Sequence, residues 1–442
     1  MVFHGGSYLY QPEGDRLNWP SKDEAHYDLL RLPEDWQKPK PPLTGFAQFL
    51  GNDPILPNPA LKWLGLDGYA WEPRFVTHGQ YSLFAFALEQ NNQRQDVIGH
   101  QLLLDLDLRL TGTERFHMQF RPLGRDNTGG SYYQFRNPAG YVDNSQGEPD
   151  RYWFEFELHS VLGGFVDPNW ALDYQVTAGR IPLSLHNDLL INDEFHGVAV
   201  NKNNLNVWNF SNLNVQAYYG FNDVSAYDNG DADVAGVNFF VDYRRIFYEA
   251  SYAFVNHGFD SSRDAHYLAL SRTQLIANYS LATRALFKQG DEGGRGSGQL
   301  FTIEGNTTRV YDHSPLGIEK AVFFANAFGA LSGWNTIAQG NFNRLRTAFE
   351  VNPLVRIAAG TGTDDNWGIA LGAQLFRHHD DESWIPEFAF EQPGGEAVWG
   401  VGLRYLRKIS CRSFLEVLGV YNESDDDRFD RLGVFGTVSI LF

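Results

Sequence analysis

From Phe75 onward, apolar and polar residues alternate with a period of two. In QLLLDLDLRL, Leu102, Leu104, Leu106, Leu108 and Leu110 occupy every second position, with Asp105, Asp107 and Arg109 between them. Successive side chains of a strand point to opposite faces, so the leucines share one face and the charges the other. VNFFVDYRR sets Val237, Phe239, Val241 and Tyr243 against Asn238, Phe240, Asp242 and Arg244. IFYEASYAF sets Ile246, Tyr248, Ala250, Tyr252 and Phe254 against Phe247, Glu249, Ser251 and Ala253. RYWFEFELHS sets Tyr152, Phe154, Phe156 and Leu158 against Trp153, Glu155, Glu157 and His159. LNVQAYYGF and AVWGVGLRY repeat the pattern, the latter with Arg404 on its polar side. Helical periodicity is scarce in this stretch, which makes the α/β classes poor fits.

The connections have their own order. RRIF and NYSLATR leave room only for tight turns, whereas RDNTGGSYYQFRNPAGYVDNSQGEPD, KQGDEGGRGSGQ and NESDDDRFD are long and polar. Short turns at one end and long loops at the other predict an up-and-down barrel. At roughly 20 to 23 residues per strand and connection, this stretch accommodates 16 to 18 strands. LSGWNTIAQGNFNRLRTAF is expected to be a loop folded into the interior or an irregular strand. Residues 1–73 differ: they hold more than half of the chain's 19 prolines. Within them, SKDEAHYDLLRL, capped by Ser21, predicts a short helix, and LTGFAQFL a second. We divide the chain into an N-terminal extension, 1–73, read as a periplasmic arm, plug or docking segment, and a barrel, 74–442.

The final strand, RLGVFGTVSILF, places Leu432, Val434, Gly436, Val438 and Ile440 on one face and ends on Phe442. An apolar face running to a terminal aromatic resembles the C-terminal signal of Gram-negative outer-membrane β-barrel proteins. That resemblance implies that Val438, Ile440 and Phe442 belong to the strand that closes the barrel. Residues 172 to 220 read as strand, Gly-Arg turn, polar segment and two further strands. They are loosely similar to the mid-barrel segment of porins and of alginate-export-type outer-membrane proteins. The resemblance implies a diffusion or export pore in the bacterial outer membrane, with no particular substrate. Lipid permits no unpaired sheet edge, so closure follows, with aliphatics outward and polar residues toward water.

Composition fits this picture. The chain is 43% hydrophobic, and its mean hydropathy of −0.36 is that of a soluble protein or of an alternating barrel. No run of 18 apolar residues is present, which excludes a membrane-spanning helix. Aromatics reach 15%, as suits residues at membrane interfaces or in carbohydrate-handling β proteins. A formal charge of −19 argues against a nucleic-acid partner. Cys411, the one cysteine, makes no intramolecular disulfide, and its neighbourhood KISCRSFLEVLG reads as strand with a packed thiol. The N-terminus MVFHGGSYLY lacks a basic region followed by an apolar stretch. We therefore expect a signal peptide to be absent from the chain as given, or the chain to be cytosolic.

The candidate pore-lining residues are Asp105, Asp107, Arg109, Glu155, Glu157, Asp242, Arg244, Glu249, Arg284, Lys288 and Arg404. Each taken singly is more readily a wall residue paired with its neighbour; as a group on one face they predict a polar channel. Arg180 is expected at a strand end, at an interface. RHHDDE, His378 to Glu382, has the residue types of a metal site but reads as a turn. YDNGDADV, with Asp228, Asp231 and Asp233, hints at a calcium loop without the closing Glu. NESDDDRFD reads as a solvated loop, with a cation bridge to lipopolysaccharide as the minority alternative. His159 and Ser160 make no catalytic pair, and no nucleophile elbow, phosphate loop or zinc-protease motif occurs.

The resulting expectation is an all-β protein: a single transmembrane antiparallel β-barrel of about 16–18 strands with an N-terminal extension. It would act without enzymatic activity, cofactor or metal as an outer-membrane channel for hydrophilic solutes, with cation preference. Its partners would be lipid, lipopolysaccharide and small solutes, with a homo-oligomer or a periplasmic partner as further options. The alternatives are a plugged barrel that docks a partner complex, and a soluble glycan-binding β protein.

Overall fold

The computed structural model describes residues 61–62, 70–71 and 74–442, except for 91–92, 111–112, 125–129, 137, 163–172, 222–231, 259–260, 292–295, 313, 315, 338–364 and 426–429. The helices expected in SKDEAHYDLLRL and LTGFAQFL, and Asp228 and Asp231, lie outside the described residues. So does the stretch of 1–73 apart from a two-residue ladder between β1 (Leu61–Lys62) and β2 (Ala70–Trp71).

The alternating segments form one closed antiparallel barrel of 18 strands. It starts with a long pair, β3 (Arg74–Gln90) and β4 (Gln93–Arg109). The next two strand positions are each interrupted. β5 (Arg115–Phe120) and β6 (Ser131–Gln134) both follow β4, and β7 (Gly140–Val142) and β8 (Pro149–Glu157) follow them in turn. One strand per position completes the wall: β9 (Tyr174–Leu185), β10 (Ile191–Lys202), β11 (Asn212–Gly220), β12 (Ala232–Tyr243), β13 (Ile246–His257), β14 (Ala265–Ile276), β15 (Tyr279–Gly290) and β16 (Gly298–Val310). Then come β17 (Lys320–Ser332), β18 (Asn366–Arg377), β19 (Glu382–Pro393), β20 (Val398–Ser410), β21 (Ser413–Ser424) and β22 (Arg431–Leu441). β22 pairs with β3, Val438 opposite Leu83 and Ile440 opposite Tyr81, so the last strand closes the wall. Phe442 adds a reciprocal backbone pair with Gly79, at 3.0 and 3.1 Å.

The ladder registers put the apolar sets on the outer face. Leu83, Ile98, Leu268, Leu270, Ile303, Leu371, Leu403, Leu432, Val434 and Ile440 are all exposed there. A continuous aliphatic belt of this kind is far larger than the patches water-soluble monomers carry, and it matches a surface made for hydrocarbon. Among the described residues no helix is long and apolar enough to cross a membrane.

Four expectations need correcting. Leu158 does not extend its strand: β8 ends at Glu157, and Leu158–Leu162 is a short helix, α1. Cys411 is exposed in the two-residue turn between β20 and β21, because the chain reverses where the apolar pattern lapses at Lys408–Arg412. Loop length is not cleanly one-sided. At the rim shared by Arg74 and Phe442, two-residue turns such as Arg244–Arg245 and Ala277–Asn278 coexist with connections 203–211 and 311–319. The longest connection, 333–365, does lie at the far rim. Finally, Gly179-Arg180 is not a turn but the middle of β9.

Candidate functional site

The lumen has two unlike sectors, and their difference begins at one row of glycines. Gly179, Gly197 and Gly220 stand side by side in register on β9, β10 and β11. Up to that row β9 pairs with β8 and β10 with β11. Beyond it, Ile181–Leu185 and Ile191–Phe195 pair only with each other. The hairpin therefore leaves the wall at the far rim and folds down into the interior. Its tip lands deep: the His186 ring meets the hydroxyls of Ser251 on β13 at 2.8 Å and Ser271 on β14 at 2.5 Å. The His186 backbone N–H donates to Glu249 at 2.8 Å, and Asn187 donates to Glu304 on β16 at 3.4 Å. Gly179 has φ +138°, and any side chain there would strike the Tyr152 carbonyl. Gly220 supports the ring of Phe195, which occupies the space a Cβ would need. Glycine is required at these two positions because the chain bends and packs closely.

One face of the hairpin is apolar. Ile181, Leu183, Leu185, Leu189, Leu190, Ile191 and Phe195 are buried against Val234, Val255, Tyr267, Leu286 and Leu300 of the inner wall. Burying seven such side chains contributes on the order of 10 kcal/mol gross, so the hairpin is docked. The segment after β17 helps to hold it: Ile337 donates to the Leu190 carbonyl at 2.9 Å, and Trp334 packs edge-on to Tyr267. Lys288 donates from β15 to the Asn335 side-chain oxygen Oδ1. The part of LSGWNTIAQGNFNRLRTAF up to Ile337 thus does fold inward, and the rest lies outside the described residues. This sector corrects the expectation of a uniformly polar interior: where the hairpin covers the wall the contact is mainly aliphatic, with Asp193, His186, Ser251, Ser271 and Lys288 buried among the apolar side chains.

The other hairpin face carries Pro182, Ser184, Asn192 and Glu194, partly or fully exposed. Arg151 of β8 closes an ion pair with Glu194 at 2.5 Å, so the hairpin is tied to the charged sector as well. Beside it, Arg121 pairs with Asp150 at 3.0 Å.

The charged sector lies on β3, β4, β5 and β8. Asp107, buried, accepts from Arg115 at 2.6 Å and faces the His117 Nδ1 at 2.8 Å. Arg115 also reaches Glu155 at 3.4 Å. Asp105 accepts from Gln119 at 2.7 Å and lies 3.5 Å from the other ring nitrogen of His117, with His78 at 4.0 Å from each aspartate. Trp153 covers His117 at 4.1 Å between ring centroids. Among the described residues no group of three or more such side chains has the geometry to hold a metal ion.

The candidate residues distribute as follows. Asp105, Asp107, Glu155, Glu157, Glu249, Arg284, Lys288 and Arg404 have inward registers on their strands. Arg284 pairs with Glu304, and Arg404 with Glu416 at 2.7 Å. Arg109 and Asp242 are exposed at the rim nearest the chain ends, and Arg244 sits in a turn, because their strands end there. Arg180 lies in mid-strand at the hairpin root rather than at a strand end, since β9 continues past Gly179. RHHDDE forms a turn, with His378, His379 and Asp380 at positive φ and His379 3.2 Å from Glu319. Asp233, on β12, accepts from Tyr219. His159 lies in α1.

Sequence reading passed over Arg115, His117, Arg151, His186 and Glu194. The first two had a signal, since RFHMQF alternates Arg115, His117 and Gln119 with Phe116, Met118 and Phe120. Burial within the inward hairpin drives the His186 imidazole from the ordinary 6.5 down to about 3, with the Arg284 charge adding to the effect, so this ring is neutral.

No family model and no curated protein matches the chain. Solved structures share its fold. Pseudomonas aeruginosa OccK8 (OprE) superposes with a TM-score of 0.52 at 10% identity, over 83% of this chain and 98% of its own. Pseudomonas aeruginosa OccK9 (OpdG) gives the same 0.52 at 10%, again over 83% and 98%. A double variant of OccD1 (OprD) gives 0.51 at 7%, over 83% and 95%. The fold of this chain is that of the outer-membrane β-barrel porins, a closed wall of 18 antiparallel strands.

Proposed function

We propose that the chain is a non-enzymatic outer-membrane channel through which small hydrophilic solutes diffuse passively. Its chain-end rim would face the periplasm and its hairpin rim the outside. One observation carries this reading: an aliphatic belt encloses an interior whose charged sector faces the polar side of an inward hairpin. Solutes would pass between Asn192 and Glu194 on the one side and the Asp105–Asp107–Arg115–Glu155 wall on the other. Arginines and carboxylates in close pairs present local dipoles rather than a single-sign field, so a polar solute is oriented as it passes. The formal charge of −19 supports cation preference.

Reconstitution into planar bilayers tests this. Discrete ohmic conductance steps, with a reversal potential toward that of the cation in a salt gradient, are expected. Absence of steps from protein that shows a heat-dependent shift on a denaturing gel would remove the channel. A second reading, a plugged barrel that docks a partner, draws on the filled sector under the hairpin. Deleting residues 1–70 separates them: a barrel plugged by that segment becomes conductive only then, and an open channel changes little.

A further inference from the structure

A third stretch of inner wall, where β22 meets β3 and β4, is unlike both sectors. Between Gln80 and Leu88, Gly433 and Ser439, and Val97 and Leu103, no ionisable side chain has an inward register. Phe84, Phe86 and Phe435 share that face instead, each half-buried. Phe84 and Phe86 are parallel within 9° with centroids 6.5 Å apart, and Phe84 and Phe435 within 20° at 6.4 Å. Rings nearly parallel at that separation are strongly offset, so each keeps part of its face uncovered. The tip of Phe84 lies over Gly99, whose missing side chain lets the ring rest along the wall.

Next to the rings is a group of neutral hydrogen-bonding side chains. Gln80 donates to Ser82 at 2.8 Å and to Ser439 at 3.1 Å, and those two hydroxyls are 2.8 Å apart. Gln101 is in register with Ser82, and Thr437 with Phe84. Open aromatic faces in a wet lumen are unfavourable at about 25 cal/mol per Å², and the nearest inward charge, Glu416 in register with Thr437, is already held by Arg404 at 2.7 Å. A solute that relieves the first and does not need the second has a flat apolar face edged by hydroxyls. A pyranose ring is built this way, with axial C–H groups on its faces and hydroxyls on its rim.

We propose that Phe84, Phe86 and Phe435, with Gln80, Ser82, Gln101 and Ser439, form a track for neutral saccharides. Sugar rings rest on the phenylalanines while their hydroxyls exchange hydrogen bonds with the amides and serines below. The track names a solute class for the channel and rests on that reading only for access from bulk water.

The test uses the full chain with maltohexaose as probe, read both as current blockade in bilayers and as heat of binding in detergent. Saturable binding is expected, weaker by about tenfold in Phe84→Ala and in Phe84→Leu, and kept within about twofold in Phe84→Tyr. A hexamer of galacturonic acid, equally long but anionic, should bind more weakly. Each variant is first checked for the heat-dependent gel shift of a folded barrel. Leucine performing as well as tyrosine would overturn the track in favour of plain apolar packing, and so would tighter binding of the acidic oligomer. Conductance without blockade or heat overturns the track and leaves the channel standing. Heat without conductance upholds the track and overturns the channel, and neither signal overturns both.

Discussion

The β3–β8 sector and the β9–β17 sector are built from the same alternating strands, yet their interiors are stabilised in opposite ways. In the first, Asp105, Asp107, Arg115, His117 and Glu155 satisfy one another with a lattice of short ion pairs and hydrogen bonds. In the second, the inner wall is mostly alanine, valine and leucine with Tyr267, and the barrel folds part of its own rim inward to cover it. A wide barrel of 18 strands has more inner surface than its wall side chains can fill. Charge pairing lets that surface stay wet; an apolar surface needs a lid. The hairpin supplies the lid and, with its other face, the opposite side of the passage.

The largest effect should come from removing the lid. Replacing Ile181–His196 by a short Gly-Asn turn widens the lumen and exposes the apolar wall. Single-channel conductance should rise several-fold if this element forms the constriction. Unchanged conductance would place the narrowest point elsewhere and dissolve the contrast between sectors. Next in size is Gly179→Val. Its φ of +138° and its contact with the Tyr152 carbonyl leave a side chain no relaxed position. A destabilisation of about 1–3 kcal/mol in urea titrations of liposome-embedded protein is expected. Gly147→Val is the control, because a Cβ there meets nothing within 4 Å.

These glycines also mark where the sequence stops being readable as a wall. Strand existence and outward faces follow from period two, and the closing role of Val438 and Ile440 from the resemblance of the last strand to the C-terminal signal of outer-membrane barrels. The inward fold does not, because a hairpin inside the barrel alternates just as a strand in the wall does. What changes is parity. Tyr174, Val176 and Ala178 are even-numbered and face out, whereas Ile181, Leu183 and Leu185 are odd-numbered and buried within. The return strand switches back, from buried Ile191 and Phe195 to outward Val198 and Val200. The apolar face changes sides at Gly179 and again at Gly197, which is the trace of a hairpin turning from lipid toward the barrel's own inner wall. The charged cluster was half legible: Asp105 and Asp107 stand out in their strand, but nothing in the chain says that Arg115 and His117 will lie opposite them until the register is known.

Asp107→Asn sharpens the comparison from the charged side. It removes one carboxylate from between Arg115 and His117 while conserving shape. A loss of about 1–3 kcal/mol in the same urea titration is expected, because Glu155 at 3.4 Å is then the remaining carboxylate paired with Arg115. The reversal potential should move toward the anion. A similar change on the apolar side, Leu183→Asn, should shift conductance and leave selectivity nearly alone; equal selectivity changes from both would mean that the two sectors do not differ in kind.

The smallest effect is a pH response, and its sign follows from the buried ring at the hairpin tip. Docked, His186 is neutral down to about 3; released into water it titrates near 6.5. Docking is therefore fully favoured above 6.5 and weakens as pH falls toward 3, since only the released tip takes up the proton. Glu249, whose Oε1 is 3.8 Å from the ring, would attract the proton, while Arg284 opposes it; burial tips the balance toward the neutral ring. Conductance should accordingly rise reversibly between pH 6 and 4, by less than excision of the hairpin produces. His186→Gln, able to bond both Ser251 and Ser271 but without a proton to gain, should flatten that rise while leaving conductance at pH 7.5 unchanged. A rise that survives in the glutamine variant would take the pH response away from the His186 ring.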